Sequence, residues 1–216
     1  MSRTTIKICG VRHSENALVA AEAGADYIGI VFVPGRRRRI EPSAARLIID
    51  RLSAIGPEAP SSVGLFGDQP LAEVLDTIAV AGLDVVQLCG EESVEYCRAV
   101  GDHARVIKVL HVKNDAPIAE MGNLIDTYAA VGCTVTLDSQ VAGLHGGTGE
   151  SFDWSIAAQL ASSGRSFMLA GGLTPDNVSE AISVVKPWGV DVSSGVGTKS
   201  GVSSHPPGSE IDPRKG

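Results

Sequence analysis

The chain has 216 residues, 44% of them hydrophobic and only 4% aromatic. That suits one α/β domain with a core of Val, Ile, Leu and Ala, the palette of parallel strands buried on both faces. A net charge of −7 argues against nucleic acid or an anionic membrane as the principal partner, and the basic run Arg36 to Arg39 is too short and isolated to reverse that.

In chain order, apolar runs at 4–9, 26–32, 61–66, 84–88, 105–110, 133–138, 166–170 and 188–192 predict strands. Helical patterns fill the intervals at about 14–23, 42–54, 70–81, 92–100, 116–130, 155–162 and 175–185. Ser14 is placed to cap the first helix, with Glu15 in its opening turn. Pro42, Pro70 and Pro175 stand at or near helix starts, where a missing N–H costs nothing. Gly24 and Gly82 follow helices where a left-handed residue is wanted.

Strict alternation of strand and helix favours a parallel (β/α)8 barrel, the TIM barrel, over a doubly wound sheet, and no GxGxxG follows the first strand. The eighth helix is where the pattern fails. After Val196 only Val202 and Ile211 are aliphatic, and Pro206, Pro207 and Pro213 interrupt the tail. The expected organisation is a single catalytic domain over 1–196 and an irregular, disordered tail over 197–216.

Cys9, Cys89, Cys97 and Cys133 form no CxxC pair and no cluster at metal spacing. Free thiols, the absence of an apolar signal core near Met1, and the lack of any apolar run near ~18 residues predict a soluble, cytoplasmic protein without a membrane partner.

In a barrel of this kind reactive groups belong at the C-terminal ends of the strands. Cys9 ends the first strand and Asp138 the sixth. The two strands are not neighbours, so thiol and carboxyl would face each other across the mouth, as an acid and a base acting on one small substrate would. Gly171-Gly172 after the seventh strand and Ser193-Ser194-Gly195 after the eighth fit a phosphate cup. Gly146-Gly147-Thr148-Gly149, after the sixth strand, adds glycines that let an anion approach and a hydroxyl donor. The expected partner is therefore a phosphorylated small molecule.

Taken in order, Lys7-Ile8-Cys9-Gly10, Gln87-Leu88-Cys89-Gly90, Leu137-Asp138, Gly146-Gly147-Thr148-Gly149 before Phe152-Asp153-Trp154, Leu169-Ala170-Gly171-Gly172-Leu173, Asn177-Val178 and Asp191-Val192-Ser193-Ser194-Gly195-Val196 resemble one family. It is the phosphoribosylanthranilate isomerase family of tryptophan biosynthesis, and the likeness covers roughly residues 4–196. The resemblance implies an Amadori rearrangement of N-(5-phosphoribosyl)anthranilate to 1-(2-carboxyphenylamino)-1-deoxyribulose 5-phosphate, with no metal or organic cofactor. It implies Asp138 as the general acid at the ribose ring oxygen and Cys9, as thiolate, as the general base at C2. A thiol of reference pKa ~8.5, lowered by nearby positive charge, suits that role.

By the same resemblance Arg38 would grip the anthranilate carboxylate; as a basic loop, at least two of the four arginines are expected to stay solvated. Asp191 resembles the acid near the ribose hydroxyls, although an inward barrel residue can also be structural. Gly147, Thr148, Gly171, Gly172, Ser193 and Ser194 would hold the phosphate. Three departures stand out: Cys89 where the family carries histidine, Gly197 where it carries glutamate, and Gly201-Val202-Ser203-Ser204 in place of Gly-Val-Lys-Asp with no closing helix. Without that helix the outer faces of the first and eighth strands are expected to lose cover, which leaves monomer or homodimer open. The alternative reading is a C-terminally eroded phosphosugar-binding barrel with little turnover.

Overall fold

The computed structural model describes residues 3–112, 117–139 and 154–196. In chain order the elements are β1 (Thr5–Cys9), α1 (Ser14–Glu22), β2 (Tyr27–Val31), α2 (Pro42–Ser53), β3 (Ser61–Phe66), α3 (Leu71–Ala81), β4 (Val85–Leu88) and α4 (Val94–Gly101). They continue as β5 (Arg105–Val112), α5 (Ile118–Ala129), β6 (Thr134–Ser139), α6 (Trp154–Ser162), β7 (Met168–Ala170), α7 (Val178–Val185) and β8 (Gly189–Val192), then a 3-10 turn at Ser194–Val196. Each strand pairs in parallel with the next, and β8 returns to β1 with Thr5 opposite Gly189 and Ile8 opposite Val192, closing the barrel. The (β/α)8 expectation holds, with seven helices between eight strands.

Alternation along each strand sorts the side chains into two layers. Outward residues such as Ile28, Ile30, Val86 and Leu88 pack under the first helices, and Val135, Leu137, Leu169, Val190 and Val192 pack under the later ones. A smaller inner cluster of Val31, Val63, Leu65, Val85 and Ile107 fills the barrel around Cys9. The helices bury one stripe each. In α2, Pro42 opens the helix and Ala45, Ile48, Ile49 and Leu52 recur at core-facing spacing.

Four local expectations change. The cap position before α1 is His13, without a side-chain cap, and Ser14 is already helical with its hydroxyl donating to Glu15 at 3.3 Å. Helix α7 starts at Val178 rather than near 175, because Asn177 bonds the Gly172 carbonyl and the Thr174 N–H and holds the intervening chain as a turn. Strand β5 runs on to Val112. The outer face of β8 is covered, with Val190 2% and Val192 6% exposed, since Leu173, Ala181 and Val185 pack in the same cluster. Of β1 and β8, β1 is the strand with half-covered outward residues, Ile6 and Ile8. The expected tail over 197–216 lies outside the described residues.

Candidate active site

β1 turns Lys7 and Cys9 inward. Lys7 is fully buried and Cys9 is 8% exposed. Asp191 on β8 is the register partner of Lys7, and Lys7 Nζ donates to Asp191 Oδ2 at 2.7 Å in a pair buried on both sides. Burial disfavours the Lys7 ammonium, yet Asp191 and Cys9 facing it more than offset that, so its pKa stands above the ordinary lysine value. Burial pushes the Cys9 thiol up to about 11, with Lys7 pulling it down and Asp191 adding to the rise. The expected positive charge is present, as Lys7, but desolvation outweighs it and the thiol is raised rather than lowered.

Asp138 lies on the inward side of β6, reached from β1 through β8 and β7. Burial raises its carboxyl above the usual range, with His111 and Lys7 opposing and Asp191 adding. The barrel therefore brings a carboxyl raised by burial and a thiol raised by burial into the electrostatic field of one buried ammonium. The strands that carry them are separated around the ring, as their sequence positions imply.

Within the β2–α2 loop the arginine run divides by environment. Arg36 and Arg37 are exposed, Arg39 pairs with Glu41 at 2.6 Å, and Arg38 alone is half-buried. Arg38 Nη1 donates to Ser193 Oγ at 2.8 Å and to the Cys9 carbonyl at 3.3 Å, which places its guanidinium between β1 and β8 at the mouth. Gly10 makes that possible. Its φ is +82°, and a Cβ there would stand 2.7 Å from the Arg38 side chain.

Gly171 and Gly172 follow β7, and Ser193 and Ser194 follow β8. Their loops are in contact, because a Cβ on Gly195 would run into the Leu173 carbonyl. Asn177 braces the first loop, donating to the Gly172 carbonyl at 3.0 Å and accepting the Thr174 N–H at 2.8 Å. Adjoining turns of this kind after the last two strands can present backbone N–H groups to a phosphate. Gly147 and Thr148 lie outside the described residues.

Apart from Asp191, sequence reasoning missed the polar interior. Four buried side-chain atoms have no hydrogen-bond partner among the described residues: Gln87 Oε1, His111 Nδ1, Thr136 Oγ1 and Asp191 Oδ1. All four belong to inward positions of β4, β5, β6 and β8. Buried acceptors left open in a native core call for an explanation, and a polar ligand is the simplest. Strand alternation could have found them, since Lys7 is two residues from Cys9 and Thr136 two from Asp138. Cys89 is half-buried and takes a 3.5 Å hydrogen bond from Gln87 Nε2. Outside the barrel a second buried pair, Lys108 with Glu92 at 2.8 Å, anchors the β4–α4 loop, and Glu92 also accepts the N–H groups of Asp68 and Gly90. Among the described residues no cluster of three or more His, Cys, Asp or Glu is placed to hold a metal ion, and no helix is long and apolar enough to cross a membrane.

The family model described as N-(5'phosphoribosyl)anthranilate (PRA) isomerase matches residues 6–205. The N-(5'-phosphoribosyl)anthranilate isomerase of Roseiflexus castenholzii is 44% identical over 93% of this chain and 92% of its own length. A crystal structure of phosphoribosyl anthranilate isomerase from Thermus thermophilus superimposes with a TM-score of 0.78 at 38% identity, covering 93% of this chain and 92% of that one. Another, of the isomerase in complex with reduced 1-(o-carboxyphenylamino)-1-deoxyribulose 5-phosphate, gives 0.76 at 36% identity over 92% and 91%. Likeness of this extent spans the whole barrel rather than one motif of it, and the chain belongs to the N-(5'-phosphoribosyl)anthranilate isomerase family.

Proposed function

We propose that the barrel mouth carries out the family's Amadori rearrangement with Asp138 as acid and Cys9 as base. Asp138, whose carboxyl burial raises above the ordinary carboxylate range, gives its proton to the furanose ring oxygen. The C1–O bond breaks as the anilino nitrogen's lone pair forms a C=N⁺ bond. Cys9 then removes the proton from C2, and the electron pair of that C–H bond moves into C1=C2 while the C=N⁺ π electrons return to nitrogen. The enolamine loses its hydroxyl proton and gains one at C1, yielding the 1-amino-1-deoxyketose. No atom is gained or lost. Each positioned proton transfer is worth about 10²–10⁴-fold.

Cys9 and Asp138 complement each other electrostatically. A thiol raised to about 11 carries little thiolate near neutral pH in the resting site. The iminium formed in the first half-reaction sets a new positive charge beside it and adds to that of Lys7, so the thiolate form is stabilised when it is needed. Arg38 offers the anthranilate carboxylate a planar cation at the rim. Asp191, whose second oxygen is open, suits a ribose hydroxyl, and the loops at Gly171-Gly172 and Ser193-Ser194 suit the phosphate. We take residues 1–196 as the catalytic unit and the cytoplasm as its place; the described cysteines are all free.

The observation that carries this reading is the common field of Lys7, Asp191, Cys9 and Asp138 inside the closed sheet. Substrate generated enzymatically in situ tests it: loss of anthranilate fluorescence is expected on adding the protein. A stable signal at high protein concentration favours the eroded, non-catalytic barrel instead.

A further inference from the structure

His111 is the inward residue of β5 beside the proposed acid, and its strand-register partner on β6 is Asp138 itself. Its Nε2 lies 3.1 Å from the Cys89 carbonyl, which can only accept, so Nε2 carries the proton of the neutral ring. That leaves Nδ1 as a lone pair, and Nδ1 is buried without a partner. The contact that fixes the ring is itself braced. Lys108 donates to the carbonyls of Leu88 and Gly90 on either side of Cys89 and is locked by Glu92 at 2.8 Å. The other open atoms are less exclusive: Asp191 already has one oxygen on Lys7, and Thr136 lies one inward position before Asp138 on β6.

We propose that His111 is a further catalytic residue, whose Nδ1 accepts the N–H that joins the anthranilate ring to C1 of the sugar. This rests on the acid–base reading above. The ring oxygen that Asp138 protonates and the anilino nitrogen are both bonded to C1, so an acceptor adjoining the acid meets that N–H. As the C1–O bond breaks, the nitrogen becomes an iminium cation, and a hydrogen bond from a charged donor is roughly twice as strong as a neutral one. The contact therefore tightens on the way to the transition state, and its loss falls on kcat more than on KM.

Steady-state kinetics of three variants of the full chain test this. Asparagine places its amide oxygen near the position of Nδ1, whereas glutamine keeps a donor near Nε2 and offers no acceptor at Nδ1. His111→Ala and His111→Gln are expected to lower kcat by about 10- to 100-fold with KM within about threefold, and His111→Asn to retain most of the rate. A His111→Ala kcat within about twofold of the parent, or a His111→Gln enzyme at least as active as His111→Asn, overturns the proposal. Should the alanine variant fail to fold, the order of the other two decides. Asp138→Asn run in parallel separates the failures: if it is inactive while the His111 variants are normal, only this inference falls, and if it is active the acid–base reading falls with it.

Discussion

Replacing Lys7 by methionine tests the centre of the interior directly. The ammonium is fully buried and 2.7 Å from Asp191, itself 9% exposed, so the variant leaves a carboxylate desolvated and unpaired. Breaking such a pair from one side costs about 3–5 kcal/mol, which for a chain of this size is a fall in Tm of roughly 6–20 °C. Replacing both partners, as Lys7→Met with Asp191→Leu, removes the unpaired charge and should recover most of the loss. Activity should not follow. Lys7 lowers the Cys9 pKa, so without it the thiol rises further and the alkaline increase in kcat/KM moves to higher pH. The double variant is expected to lose activity further, because it also lacks the carboxylate proposed to meet a ribose hydroxyl. Urea melts and pH–rate profiles on the same preparations supply both readings. A Lys7→Met protein as stable as the parent, or a double variant no more stable than the single one, refutes the buried-pair argument.

Three other perturbations follow from close approaches and from the second ion pair. Gly29→Ala sets a Cβ 2.9 Å from Cys9 Sγ and 3.0 Å from its Cα; the expected outcome is a stability loss of about 1–3 kcal/mol with a larger fall in kcat, read by thermal melts and the fluorescence assay. Gly195→Ala drives a methyl into the Leu173 carbonyl and should separate the two loops, weakening binding of inorganic phosphate measured by calorimetry. Burial works against the Glu92 carboxylate, but Lys108 and the Asp68 N–H more than compensate, and its pKa lies below the ordinary value. That stabilisation is present above the unfolded-state pKa of ~4.3 and is lost as pH falls through the depressed folded value. Glu92→Gln should therefore lower Tm at pH 7 and flatten the acid limb of the stability curve.

The barrel was legible because its signal is local and repeated. Each of β1 to β8 falls within one or two residues of its expected span, apolar runs being bounded by Gly, Pro and capping residues. The exceptions have long-range causes. Glu92 is drawn out of the start of α4 by Lys108, leaving Ser93 to cap by accepting the Tyr96 N–H at 3.2 Å. His111 was beyond the expected end of the fifth strand and so was never assigned a face. Lys7 illustrates the deeper limit. A lysine at the third position of a short strand reads as solvated; its two-residue spacing from Cys9 could give its face, but not the carboxylate that neutralises it, 184 residues away in the chain. Cys9, Asp138 and Arg38 were singled out from strand ends and motif order. The field that raises the thiol of Cys9 and the carboxyl of Asp138 arises only when the sheet closes.

The most direct test of the account measures turnover and ligand binding together in Cys9→Ala and Asp138→Asn. Both variants are expected to lose about 10²–10⁴-fold in kcat while reduced 1-(o-carboxyphenylamino)-1-deoxyribulose 5-phosphate still binds by calorimetry with a Kd near that of the parent. Near-parental turnover in either variant would contradict the assignment of that group.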